Sequence, residues 1–430
     1  MIKEIKIEGI HRIEGHMDIR VYIKDPENVV VRAAAKEGTR ILSRILVGRD
    51  YQEIPEITSR MCGVCSVIHK LAAVQAIENA FDITLTNELK ILRELVAIGG
   101  HLQSHILHLH FFVLPDIMKL SSVLELLKDK ETLVKEIIKI KRFANEIVER
   151  LAGSSVHPIT PVVGGFTKIP SRKSLLVVKE IIAEMKNRVM EACRPFLETK
   201  WDGFDVQNVF VALKSDKGVP LLDGKVAIST GLEFDKEHYA EYISAILEDY
   251  STALHYKLRS ENRSYMVGAL ARLNINYENL DDETRLVCRE YNIRFPVNSP
   301  LMNNACQALE MIHFLNKAEN LISELLERTL SLSKVDYRIK PSNGIAVVEA
   351  PRGLLIHHYK INEHGKITYS NIITPTAQNL KNIEENIKAF LIEALNEGKK
   401  ENLELEVEKI VRAYDPCISC AARFYHESQV

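Results

Sequence analysis

Two thiols stand three positions apart in "RMCGVCSVIH", Arg60 to His69, with a glycine between them and an imidazole four positions after the second. A second close pair, in "DPCISC", Asp415 to Cys420, lies almost at the other end of the chain. A C-x-x-C turn sets both sulfurs on one side of a tight loop, and a glycine or proline in or beside it lets the backbone turn toward a metal. Taken singly, either pair reads as a redox dithiol or as half of a zinc site. Together Cys62, Cys65, Cys417 and Cys420 supply four thiolates, enough for a tetrahedral soft-metal site, and four-thiolate metal binding is the reading these residues favour. A structural zinc ribbon draws its pairs from neighbouring hairpins roughly 15 to 20 residues apart. Here almost the whole chain intervenes, so the site must lie in the core and form late, which suits a catalytic centre better than a local staple. Cys193, Cys288 and Cys306 stand alone and read as small buried hydrophobes. In "HLQSHILHLH", His101, His105 and His108 fall on one helical face, a spacing that by itself points to zinc.

The elements that position these residues follow from length and periodicity. At 430 residues the chain exceeds what one hydrophobic core usually fills, so two or three subdomains are expected, with the possibility of a shared interior. "IKEIKIEGI" and "HMDIRVYIKD" alternate as strands, with "DPEN" as a turn, giving a strand-rich region over 1–53. Apolar spacings of three and four in "VIHKLAAVQAIENAF", "ELKILRELVAIGGHLQSHILHLHFFVL" and "LVKEIIKIKRFANEIVERLA" predict long helices, and another runs from Lys173 to Phe196; 54–200 is therefore a helical core carrying the first cysteine pair. The prolines and glycines of "HPITPVVGGFTKIPS" predict a loop. A mixed region over 201–335 has short strands, then helices from about His238 to Ser260 and from Pro300 to Lys334. The last region, 336–430, holds strands in "GIAVVEAPRGLLIHHYKINEHGKITYSNIIT", a helix near Leu380 to Gly398, and the second pair. The fold class is α+β, mostly helical: a central bundle of long helices, small sheets near each end, and a metal site buried between the two ends.

Charge and leader signals narrow the function. Lys plus Arg number 56 against 58 for Asp plus Glu, a net charge of -2 with no polybasic block or acidic tail, so neither nucleic acid nor a membrane surface is an expected partner. "MIKEIKIEGIHRIEGH" is neither a signal peptide's apolar core nor a twin-arginine leader, and no run reaches the roughly 18 apolar residues of a membrane span. The expected location is the cytoplasm, where reduced thiols serve as ligands, nucleophiles or buried fillers, and seven cysteines cannot pair off completely.

"RMCGVCSVIH" and "DPCISCAAR" resemble the paired signatures of the large subunit of nickel-iron hydrogenases. "HRIEGH", "GRDYQEIPEITSR", "HPITPVVGGFTKIP", "VGALARLN" and "VEAPRGLLIHHY" are further family-like blocks in the expected order. The block "EAPRGLLIHHYKINEHGKITYSNIITPTAQN", the short overall length and the lack of a leader look most like the soluble, cytoplasmic members that exchange electrons with nicotinamide-, deazaflavin- or ferredoxin-linked partners. The resemblance implies a nickel joined to an iron that carries carbon monoxide and cyanide. By position, Cys62 and Cys417 resemble the terminal nickel thiolates, and Cys65 and Cys420 those that bridge nickel to iron. Glu14 matches the first carboxylate of the proton exit, beside Cys417; its alternative reading is a solvated strand glutamate. Arg352 matches the arginine facing the cyanides, with Pro351 and Thr376 completing that pocket, although Thr376 also reads as a helix cap. His69 resembles the histidine that donates to a bridging sulfur, against a solvent-facing alternative.

The resemblance also implies an iron-sulfur small subunit, further electron-acceptor subunits, and a maturation protease that cuts three residues after the last cysteine, here at Arg423-Phe424. It implies packing and hydrogen bonding, with no metal, for the histidine-rich helix, and Ser104 stands where some members carry an aspartate. Ser43 and Arg423 stand where many members have glutamate and histidine ligands to a second, hard metal, so no tightly bound magnesium is expected. Two other readings compete: a structural four-cysteine zinc protein, and a relative of the quinone-site subunit of respiratory complex I, which lacks the cysteine ligands.

Overall fold

A computed structural model describes residues 3–36, 42–120, 122–201, 204–330, 335–398 and 401–421. The chain opens with an antiparallel three-stranded meander, Lys3–Ile7, Met17–Asp25 and Asn28–Ala35, whose middle strand turns Met17, Ile19 and Val21 into the core by simple alternation. The Ser66–Ala80 helix follows the first cysteine pair. It is apolar nearly all round, and it is buried nearly all round, packed on the Ser342–Ala350 and Gly353–Ile361 strands of a second meander that is completed by Ile367–Ile373. The approach is close: a Cβ at Gly344 would clash with the Ala76 carbonyl oxygen.

Long helices fill the centre. Asn87–Leu107 starts at Thr86, whose hydroxyl accepts from Leu89 N, and Arg172–Glu198 starts at Ser171, which accepts from Ser174 N. Glu131–Ala152 stops at Gly153, whose φ of 81° closes the helix in the left-handed region. Glu131–Ala152 packs on both Asn87–Leu107 and Arg172–Glu198, and these two pack on Asn303–Glu327, closing the predicted bundle. One hydrophobic cluster runs from Ile7 to Ala421, and the four motif cysteines form a small cluster of their own with Val64 against it.

Two expectations need correction. The helix expected from His238 to Ser260 is one turn, Tyr239–Tyr242, followed by an antiparallel pair of strands, Ile243–Ile246 and His255–Leu258. The second strand packs on the Pro375–Asn396 helix, and this tertiary contact with β-branched Ile243 and Ile246 outweighs local helix preference. The helical run through "LHLHFFVL" is also interrupted, because His108–Val113 winds as a π-helix before the short Leu114–Ile117 turn. Sequence periodicity did not isolate Ala269–Asn276, Asp282–Glu290 or Leu403–Ala413 as helices. The loop expected over 155–171 contains a minimal hairpin, Pro161–Val162 with Gly165–Phe166.

Candidate metal centre

The two cysteine pairs meet. The sulfurs of Cys62, Cys65, Cys417 and Cys420 all lie within 4.8 Å of one another, and all four residues are buried. Closest are Cys65 with Cys420 and Cys417 with Cys420, both at 3.0 Å, then Cys62 with Cys417 at 3.4 Å. No other cluster of His, Cys, Asp or Glu with metal-ligand spacing occurs among the described residues. Hydrogen bonds from Cys417, Cys420 and Cys62 push the Cys65 thiol well down, whereas burial pushes Cys417 up and the sulfur contacts push Cys420 up. The bare cluster therefore favours a thiolate at Cys65, whereas a cation nearby would be needed to ionise Cys417 and Cys420.

Local structure accounts for the first pair. Cys65 occupies the cap position of Ser66–Ala80, its carbonyl accepts from Ile68 N and His69 N, and Val64 N points at the Cys62 sulfur at 3.3 Å. The second pair sits on the single turn Ile418–Ala421 and is held from outside. Glu14 and Cys417 form a parallel bridge, with Ile418 N donating to the Glu14 carbonyl at 2.9 Å. Glu14 Oε2 lies 3.1 Å from the Cys417 sulfur and accepts from Ser419 N at the same distance. The glutamate therefore faces a metal-site thiol rather than serving as a solvated strand residue.

Thr376 is not the cap of its helix. Pro375–Asn396 is capped by position 374, and Thr376 Oγ1 instead accepts from Cys417 N at 2.9 Å, which leaves its hydroxyl hydrogen free to donate elsewhere. Arg352 is held by Asp415, with Nε on the carbonyl at 2.6 Å and Nη2 on Oδ1 at 2.9 Å. Among the described residues its Nη1 is buried with no partner. Arg352, Pro351 and Thr376 line one small cavity with Cys65, Cys417 and Cys420, and His69 closes its side. A buried guanidinium N–H without a partner is costly, and a small anionic ligand in this cavity would satisfy it. The residues thus fit both a soft metal on the thiolates and an anionic ligand beside it. His69 is only 1 % exposed, and its Nδ1 lies 3.1 Å from His357 Nε2, so it is not solvent-facing.

Support for the arginine comes from residues that sequence reasoning passed over. Gln307 Nε2 donates to Asp415 Oδ2 at 3.3 Å, and His108 contacts Gln307 at 2.6 Å and the Arg412 carbonyl at 2.7 Å. Arg272, fully buried in "VGALARLN", donates to the carbonyls of Ala350 and Pro351 at 2.8 and 3.0 Å and so anchors the turn that presents Arg352. Its charge is balanced by Glu310 and Glu349. Burial would raise Glu310, yet Arg272 pulls it down to about 2; burial prevails at Glu349, pushed up to about 7. His105 lies 2.8 Å from Glu310, and His101 Nδ1 meets the Ala97 carbonyl, so the histidine-rich helix is used for packing and hydrogen bonding. Asp415 stood inside the quoted motif, but only the fold shows what it holds. Ser104 is buried, with an unpartnered hydroxyl. The side chain of Ser43, and the whole of Arg423 and the 424–430 tail, lie outside the described residues.

Comparison with known proteins adds an independent line. A family model described as nickel-dependent hydrogenase matches residues 40–137 and 233–423. The chain is similar to sulfhydrogenase 2 subunit alpha of Pyrococcus furiosus, 32% identical over 423 residues that cover 98% of this chain and 99% of the other. It is 26% identical to the NAD-reducing hydrogenase HoxS subunit beta of Cupriavidus necator, with 98% and 95% covered. Among solved structures, a chain of an NAD+-reducing NiFe hydrogenase in its H2-reduced state superposes with a TM-score of 0.85 at 27% identity, covering 98% of this chain and 99% of that one.

Proposed function

The chain belongs to the nickel-dependent hydrogenase family, and from that premise we propose how its residues carry out the reversible oxidation of H2 to protons and electrons as the large subunit of a heteromer. Nickel is the metal of the four-cysteine site. We assign the second metal as iron with carbon monoxide and cyanide ligands, on the strength of the buried, unpartnered Arg352 Nη1 beside the thiolates. In that assignment Cys62 and Cys417 would be the terminal nickel ligands, and Cys65 and Cys420 would be shared with the iron. Arg352 would donate to one cyanide and the free hydroxyl hydrogen of Thr376 to another, with Pro351 walling the pocket. When bound, such a centre polarises H2 and takes up its electrons.

The protein's part is the proton. Cys417 Sγ takes it at the metal and passes it to Glu14 Oε2, 3.1 Å away. Ser419 N, which donates to the same carboxylate oxygen, fixes the direction of approach. His69, which lines the cavity with Cys65 and Cys420, would donate to a sulfur shared by the two metals and moderate its basicity. Electrons leave through an iron-sulfur small subunit to further acceptor subunits that are nicotinamide, deazaflavin or ferredoxin linked. Among the described residues no helix is long and apolar enough to cross a membrane, and the cytoplasm is the proposed location. We further propose that a maturation protease cuts Arg423-Phe424, and that no magnesium binds tightly at Ser43 and Arg423, because guanidinium offers no lone pair and serine only a weak neutral oxygen.

The observation that carries the assignment is the meeting of four buried thiols with an unsatisfied arginine N–H. Metal analysis of the native complex together with infrared spectroscopy tests it. About one nickel and one iron per chain, with bands of bound carbon monoxide and cyanide, is the expected result. Zinc with no such bands would overturn it and favour the structural zinc protein; the complex I-like reading has no use for four converging thiols.

A further inference from the structure

Behind His69 runs a buried chain of hydrogen bonds that the proposed reaction does not use. His69 Nδ1 lies 3.1 Å from His357 Nε2, and His357 Nδ1 lies 2.6 Å from the Tyr359 hydroxyl. His357 and Tyr359 are two residues apart on the Gly353–Ile361 strand, so their side chains share one face, the face that meets the Ser66–Ala80 helix bearing His69. All three side chains are essentially inaccessible to solvent.

The end groups set the polarity of this chain. A buried phenol keeps its proton, since burial pushes Tyr359 well above its ordinary value. Among the described residues its hydroxyl has one hydrogen-bond partner, His357 Nδ1. The hydroxyl therefore donates, because the reverse arrangement would leave its hydrogen buried without an acceptor. Burial also holds His357 neutral, well below its ordinary value. With Nδ1 accepting, the only proton on that ring is on Nε2, where it is donated to His69 Nδ1. A neutral His69 must then carry its own proton on Nε2, the ring nitrogen left over for the cavity it lines with Cys65 and Cys420.

We propose that Tyr359 and His357 are positioning residues that fix the tautomer of His69, so that this histidine presents an N–H rather than a lone pair to the bridging sulfurs. The proposal rests on the role given to His69 above, but its first readout does not need the metals. In the full chain labelled with nitrogen-15 histidine, the ring shifts of His69 and His357 report the Nε2–H tautomer for both. Tyr359→Phe removes the terminal donor and keeps the ring that fills the space; His357, and His69 with it, then exchange between tautomers while the remaining histidines keep their shifts. A second pair of variants separates tautomer control from packing. The amide of His357→Gln accepts from Tyr359 and donates to His69, so His69 stays as in the wild type. The carboxylate of His357→Glu only accepts, and moves the His69 proton to Nδ1. In the loaded complex His357→Glu lowers turnover roughly ten- to hundredfold while His357→Gln stays near wild type. Were Tyr359→Phe not to fold, the Gln and Glu pair decides the matter alone. An Nδ1–H tautomer of His69 in the wild type, or identical His69 shifts in His357→Gln and His357→Glu, overturns the proposal. Because the shifts are read in the metal-free chain, that result stands apart from any failure of the nickel-iron assignment.

Discussion

The two cysteine pairs contribute equally to the centre but are held in opposite ways. The first is supported by its own neighbourhood: Cys65 opens a helix that is buried along nearly its whole length, and apart from the sulfur contacts with the second pair, the hydrogen bonds described for it reach only a few residues on. The second has one helical turn of its own and is clamped by distant side chains, with Thr376 reaching across 41 residues and Glu14 across 405. A third clamp lies just upstream, where fully buried Arg412 pairs with Asp116 at 2.7 Å and Glu408 at 2.8 Å. The difference separates rigidity from reach. One half of the centre is tied by hydrogen bonds to its own neighbourhood, and the other by side chains from distant parts of the chain.

Ligand loss should erase this asymmetry and give the largest effect. Cys65→Ser and Cys420→Ser should each leave the purified chain without nickel, since each sulfur is close to others that must share the metal; stoichiometric nickel in either would show that one pair suffices. Glu14→Gln should separate structure from chemistry at the second pair. The amide preserves the acceptor for Ser419 N, so metals are retained, but it cannot carry the proton, and turnover should fall about a hundredfold or more. Turnover within about threefold of wild type would remove Glu14 from the proton route.

Smaller effects test the clamps. Arg412→Met takes one of two arginines from the Asp116 carboxylate, which keeps Arg12, and should cost about 1–3 kcal/mol. Hydrogen exchange should then accelerate at residues 415–421 far more than at 62–69; equal acceleration would mean that the clamp is global. Thr376→Val leaves the buried Cys417 N–H without its acceptor and should cost about 1–3 kcal/mol in denaturant titrations, whereas Thr376→Ser should restore most of it. The mildest perturbation is acid. Burial lowers His101 to about 3 and His110 to about 4, so from pH 6.5 downward the unfolded chain takes up protons that the folded chain refuses. Stability is therefore lost as pH falls through that window, by about 1 kcal/mol per histidine over the first pH unit. Their helical segments touch both the first-pair helix and the Leu403–Ala413 helix before the second pair. The loss should thus appear at both pairs alike, unlike that of Arg412→Met.

The same asymmetry explains what could be read in the sequence. The first pair, its helix and the long bundle helices follow from short-range periodicity, and the opening and closing meanders from alternation and turn residues. Residues that act across the fold are a different case. Asp415, Gln307, Arg272 and His357 are unremarkable in type and neighbourhood, and each gains its importance from at least one partner 63 or more residues away. The error over His238 to Ser260 has the same origin, since the strand there is stabilised by the Pro375–Asn396 helix, which no local window contains. Thr376 shows the limit from the other side. Its position near a helix start matches a cap, but the neighbouring residue 374 takes that place, and a backbone N–H from the second cysteine pair takes the hydroxyl.

The separation of 355 residues between Cys62 and Cys417, with the same separation between Cys65 and Cys420, has a polymer consequence once a metal joins them. A metal held by both pairs closes the chain between them into a ring, and a ring explores fewer unfolded shapes than an open strand. By the chain-entropy relation used for cross-links, closing a loop of this size removes on the order of 6 kcal/mol of disorder from the denatured state. The metal therefore stabilises the fold by constraining the chain when unfolded as well as through its bonds in the folded state. Loaded and empty protein should accordingly differ in more than melting temperature: the ring, being more compact when denatured, should unfold with a shallower dependence on denaturant.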